Sequence, residues 1–116
     1  MPIIIVSVDS KNVKLEEFRE LTKHIDLMIE SSEQSATALG DYIASFVKVN
    51  SRIDTDRLSS AKYSETEQDI YIRMQSVYTL VQSLNISTAI IISHHNVLNV
   101  WRDNLIDKEW EIISMH

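Results

Sequence analysis

Apolar positions along this chain follow two different periods, and the places where the period changes mark its elements. Ile3-Ile4-Ile5-Val6 is an unbroken β-branched run that predicts a buried strand over residues 1–9. Ser10, Lys11 and Asn12 then supply turn and N-cap chemistry, and Glu16 and Glu17 suit the positive end of a helix. Leu15, Phe18, Leu21, Ile25, Met28 and Ile29 recur at steps of three and four, which predicts a helix over 13–32. Residues 31–40 are small and polar, contain the chain's one glycine, Gly40, and read as a connection. From Asp41 the period shortens: Ile43, Val47, Val49 and Ile53 share one face of an extended chain, and Ala44, Phe46, Lys48, Asn50 and Arg52 share the other. That pattern predicts a second strand, closed by a turn at Asp54-Thr55-Asp56-Arg57 and followed by a loop or early helical turn over 58–64.

Helical spacing resumes with Ile70, Met74, Val77, Val81 and Leu84, flanked by Tyr71 and Tyr78, with Glu65 and Glu67 at the favourable end. Residues 88–93, Thr-Ala-Ile-Ile-Ile-Ser, predict a third strand, although a helix through Ile90, Val97, Trp101 and Leu105 fits the spacing equally. Residues 95–104 read as a loop, and the tail to His116 as a short helix or an edge segment. The order strand, helix, strand, loop, helix, strand predicts an α+β domain: a β-α-β repeat with its helices packed on one face of a small sheet.

Composition narrows the function classes. A chain of 116 residues with 44% apolar and 24% charged residues makes one soluble domain. Its formal charge of −6, with both signs interspersed, argues against nucleic acid and anionic membrane as partners. No cysteine is present, which excludes disulfides and thiol chemistry and agrees with a cytoplasmic location. The longest apolar runs are four residues, far short of a membrane span. With one glycine in all, no glycine-rich loop can cradle phosphate.

Candidate chemistry begins at Pro2. Removal of the initiator Met would leave a secondary amine pinned at the start of a core strand, and apolar walls with nearby cations would keep that amine neutral and able to accept a proton. Cations in the same pocket would hold a carboxylate and steady an enolate charge. His94 and His95 are adjacent and so point apart, and neither has a ligand-type partner at helical spacing, which argues against a metal site. His24 reads as structural, and Trp101 and Trp110 as seals of a core or subunit interface.

Three stretches carry a family resemblance: residues 1–8; Asp41-Tyr42 through Phe46 to the Arg57 turn; and His95-Asn96-Val97-Leu98-Asn99 with Asn104. Together they resemble the tautomerase superfamily, most of all the 5-carboxymethyl-2-hydroxymuconate isomerases. The resemblance implies a β-α-β repeat fold assembled as a homotrimer, with Pro2 as general base near a subunit boundary. It implies a cofactor-free and metal-free isomerase acting on a small unsaturated oxo or dicarboxylate substrate through a dienol. By position, Arg57 matches the substrate-binding arginine, with Arg52 and Lys11 as alternatives. The chain departs from the family by lacking room for a strand between the first helix and the middle strand, and by placing Asp54 and Asp56 where glycines are expected. A divergent or inactive member is implied. The alternative from the residues alone is a non-catalytic, mainly helical oligomeric interaction protein in which the proline is incidental.

Overall fold

The Ile- and Val-rich runs form a parallel sheet in the computed structural model, which describes residues 2–8, 24–45, 47–84, 86–104 and 111–115. Strand β1 (Pro2–Ser7) lies between β4 (Ala89–Ser93) and β5 (Glu111–Met115). Strand β2 (His24–Ser31) lies between β4 and β3 (Lys48–Thr55). The order is β3-β2-β4-β1-β5, and every neighbouring pair is parallel. Strand β4 is central and buried along its whole length, as its continuous Ala-Ile-Ile-Ile run requires of a strand covered on both faces.

Three helices among the described residues cover the sheet from two sides. Helix α1 (Gln34–Ala44) joins β2 to β3 and packs Ala36 and Ile43 with Val6, Met28, Ile90 and Ile92. Helix α2 (Glu67–Ser83) joins β3 to β4, and α3 (His95–Asn104) follows β4. Both lie on the opposite face, where Met74, Val77, Val81, Val97 and Leu98 pack with Leu27, Ile29, Ala89 and Ile91. Alternate residues of β2 and β4 thus feed two separate cores. Helix α2 opens with a reciprocal cap: the Asp69 amide donates to Thr66 Oγ1 at 3.2 Å and the Thr66 amide to Asp69 Oδ2 at 3.0 Å.

The chain is a mixed helix-and-sheet protein, as expected, but its helices are on both faces, not one. The long helix over 13–32 is corrected in its second half: residues 24–31 are β2. Its apolar positions satisfy helical spacing only because a strand buried on both faces is apolar almost throughout, and such a run fits either period. This strand lies within the expected helix, not in the short stretch after it. The connection over 31–40 is largely helix α1, built from small residues where Gly40 masks the periodicity. The strand expected from Asp41 begins at Lys48, and the loop over 95–104 is helix α3. The strand over 88–93 and the helix through Ile70–Val81 stand. A mainly helical protein is overturned by the five-stranded sheet.

Candidate functional site

Parallel strands all finish at one edge, so Ser7, Ser31, Thr55 and Ser93 close β1, β2, β3 and β4 side by side. After β2 the chain turns onto one face and after β4 onto the other, so the carboxyl ends of these two neighbours flank a topological switch point. Doubly wound sheets open a ligand crevice at such points. Helices α1 and α3 both start here, each directing the positive end of its dipole at this edge of the sheet.

The side chains at this edge form one connected set. His94, 8% exposed, brings Nε2 to 3.1 Å from Ser31 Oγ and 2.9 Å from Glu33 Oε2. Glu33 Oε2 accepts the Ser60 amide at 2.6 Å, and Oε1 accepts the Ser60 hydroxyl at 3.1 Å. That amide bond, foremost, holds the Glu33 carboxyl below the usual carboxylate range; burial opposes it, while the Ser60 hydroxyl and the charges of His94 and Arg73 reinforce it. Buried Ser93 donates to the Leu58 carbonyl at 2.6 Å, and Ser32 donates to Asp56. Arg73 on α2 fixes the loop that carries Ser60. Its guanidinium donates to the carbonyls of Arg57 and Ser59, both at 2.7 Å, and of Ser60 at 3.3 Å, while pairing with Glu65 at 2.8 and 3.0 Å.

The chemistry open to this cluster follows from which ring nitrogen is used. A nucleophilic relay needs the acid and the hydroxyl on opposite nitrogens of the imidazole. Here Glu33 and Ser31 share Nε2, and Ser31 Oγ already accepts the Glu33 amide at 3.2 Å. The Glu33 carboxylate can only accept, so it holds the ring through Nε2–H. Among the described residues no group of three or more His, Asp or Glu could hold a metal ion.

Pro2 and Arg57 are not brought together within one chain. Pro2 starts β1 at the amino edge, whereas Arg57 follows β3 at the carboxyl edge. Ile3 stands level with Ala89, Leu27 and Ser51. From rises of about 3.3 Å per residue and spacings of about 4.8 Å between strands, Pro2 and Arg57 are about 20 Å or more apart. Arg57 is exposed in its turn, its amide donating to Thr55 Oγ1 at 3.2 Å. Arg52 is consumed inside the protein: it clamps buried Glu30 at 2.6 and 3.0 Å, Asp41 at 2.5 Å and the Thr37 carbonyl at 2.8 Å. With Glu30, Thr37, Ile53 and Asp54 it lines an open hollow of about 550 Å³. Lys11 lies outside the described residues. Sequence reasoning missed Glu33, Ser60 and Arg73 and set His94 aside. The available signal was the polar ending of two apolar strands, Glu30-Ser31 and Ser93-His94, where a doubly wound sheet places its ligands.

Compared with family models, curated proteins and solved structures, the chain matches none. No helix among the described residues is long and apolar enough to cross a membrane.

Proposed function

We propose that this chain is a small-molecule-binding α/β domain whose ligand occupies the crevice between the carboxyl ends of β2 and β4. Its ligand is anionic, with a phosphate ester the best-matched class, and His94 is the side chain that contacts it. One observation carries this reading: buried His94, held by Glu33, stands where two helix N-termini meet at a switch point. The Glu33 charge does not oppose an anion strongly, because the Ser60 amide, the Ser60 hydroxyl and His94 already answer it. The occupied Ser31 oxygen favours reversible binding over covalent catalysis.

Amide NMR during titration with inorganic phosphate and with p-nitrophenyl phosphate tests the reading. Residues 32–36, 57–60 and 94–97 are expected to shift together, and His94→Ala is expected to abolish the response. No shift up to about 10 mM, where binding would be negligible, or shifts confined to other residues, would remove the proposal.

A second reading is favoured by the placement of Pro2 at the start of β1, where a sheltered amine was expected. On this reading the chain is a tautomerase with Pro2 as base, and the cation comes from outside the described residues, since none of these brings one near Pro2. Its tests are intact mass, since a retained Met1 blocks the amine, and ketonisation of phenylenolpyruvate with Pro2→Ala as control. Lack of turnover, or equal turnover in the variant, ends it.

A further inference from the structure

Strand β3 is one of the sheet's two edges among the described residues, and six of its eight residues are exposed. No proline or left-handed residue interrupts it. The Ser32 amide donates to the Thr55 carbonyl at 3.3 Å, which turns the peptide groups of Thr55 toward β2. Backbone direction alternates along a strand, so Val49, Ser51 and Ile53 also face β2, and the N–H and C=O groups of Lys48, Asn50, Arg52 and Asp54 face outward. An edge of this kind is a template for another strand.

The sequence of that edge complements its own reverse. Antiparallel pairing about a two-fold axis beside Ser51 sets Lys48 against Asp54, Val49 against Ile53, and Asn50 against Arg52. In this register the four outward-facing residues fall on the hydrogen-bonded pairs, so each outward N–H meets a C=O. Both Lys48–Asp54 pairs are opposite in charge, and among the described residues neither side chain is in an ion pair within the chain. Half-exposed Ile53, 41% accessible, gains an apolar neighbour. Arg52 does not blunt the edge, because it is folded back onto Glu30 and Asp41. A one-residue slip would put Lys48 opposite Ile53 and lose both charge pairs.

We propose that β3 is the dimerisation edge of this protein: two copies pair antiparallel through residues 48–54 and continue both sheets into one. The occupant is a second copy of this chain because the register, the outward peptide groups and the charges are satisfied together by the strand's own sequence. The proposal stands independently of the ligand reading above.

Sedimentation velocity of the full chain across a dilution series tests it, with circular dichroism to confirm that each variant is folded. The native chain is expected to run as a dimer that dissociates on dilution. Asn50→Pro removes a donor that points outward and leaves the β2–β3 ladder intact, so a folded monomer is expected. Lys48→Glu sets like charges in both symmetric pairs and is expected to weaken dimerisation by roughly tenfold. Adding Asp54→Lys exchanges the two signs and should restore it. A native monomer or trimer overturns the proposal, as does a dimer indifferent to Asn50→Pro or one that the charge exchange fails to rescue.

Discussion

Gly40→Ala should destabilise this protein, against the usual effect of that exchange inside a helix. Alanine in place of glycine at a helix interior ordinarily gains about 1 kcal/mol. Gly40 is buried in α1, where an added Cβ would overlap the Glu30 carboxylate and come within 2.6 Å of an Arg52 terminal nitrogen. Both atoms end flexible side chains, but neither is free to leave. The Glu30 side chain is 4% exposed and its carboxylate is held by two guanidinium bonds. Separating a buried pair costs about 3–5 kcal/mol. Arg52 is about a third exposed and keeps Asp41 and the Thr37 carbonyl, so roughly 2–3 kcal/mol is the expected share here. The net loss is then about 1–2 kcal/mol, or a urea midpoint lower by about 0.5–1 M. In a Glu30→Ala background the clash is gone, and Gly40→Ala should regain its ordinary stabilising sign. Equal or greater stability of the single variant in the native background would refute the reasoning, because it would mean that the Glu30–Arg52 pair does not press on the helix.

Three further outcomes are expected. Thr66→Ala removes one arm of the α2 capping box and should lower stability by about 1 kcal/mol in thermal or urea unfolding. Arg73→Lys keeps the charge but cannot span three carbonyls and Glu65 at once; a loss of about 2–3 kcal/mol is expected, with the Ser60 amide resonance displaced as its loop shifts. Glu33, Glu65 and Asp26 all have folded carboxyls held below the ordinary range: Glu33 first by the Ser60 amide, Glu65 first by Arg73, and Asp26 first by the Ser87 amide. Their contribution is therefore present above the unfolded carboxylate range and is lost as pH falls through the lower folded values, so stability should drop as the pH is taken below the ordinary carboxylate range. Glu33→Gln should flatten that dependence as read by denaturation at stepped pH.

Where apolar character and period agreed, the fold was legible. Residues 88–93 are short, β-rich and bounded by polar residues, which favours strand β4 although a helical spacing also fits, and Ile70–Val81 repeats cleanly on one side as helix α2 requires. Helix α1 was hidden because it contacts the sheet through Ala36, Gly40 and Ile43, and the first two carry too little apolar weight to mark a stripe. Strand β2 was hidden for the opposite reason, since Ile25, Leu27, Met28 and Ile29 are buried on both faces and satisfy two periods at once. The candidate site was less legible than the fold. Glu33 and Ser60 are 27 residues apart and Ser31 and His94 63 residues apart, so only the strand order brings them together.

Sheet direction also decides which groups can act on Pro2. Asp26 lies near the amino edge, its carboxylate accepting the Ser87 amide at 2.7 Å and the Thr88 amide at 3.1 Å. Two strand spacings separate β2 from β1, about 10 Å. An anion at that range favours the protonated form of an amine, the opposite of what a general base needs. No described residue brings a cation near Pro2, and pairing through β3 does not deliver one: its axis passes beside Ser51, three strands away from β1. The two proposals therefore separate experimentally. If ketonisation of phenylenolpyruvate is found, Asn50→Pro should leave its rate per chain unchanged while abolishing the dimer, and a rate that fell with the dimer would place the β3 edge, and not the amino edge, at the centre of the chemistry.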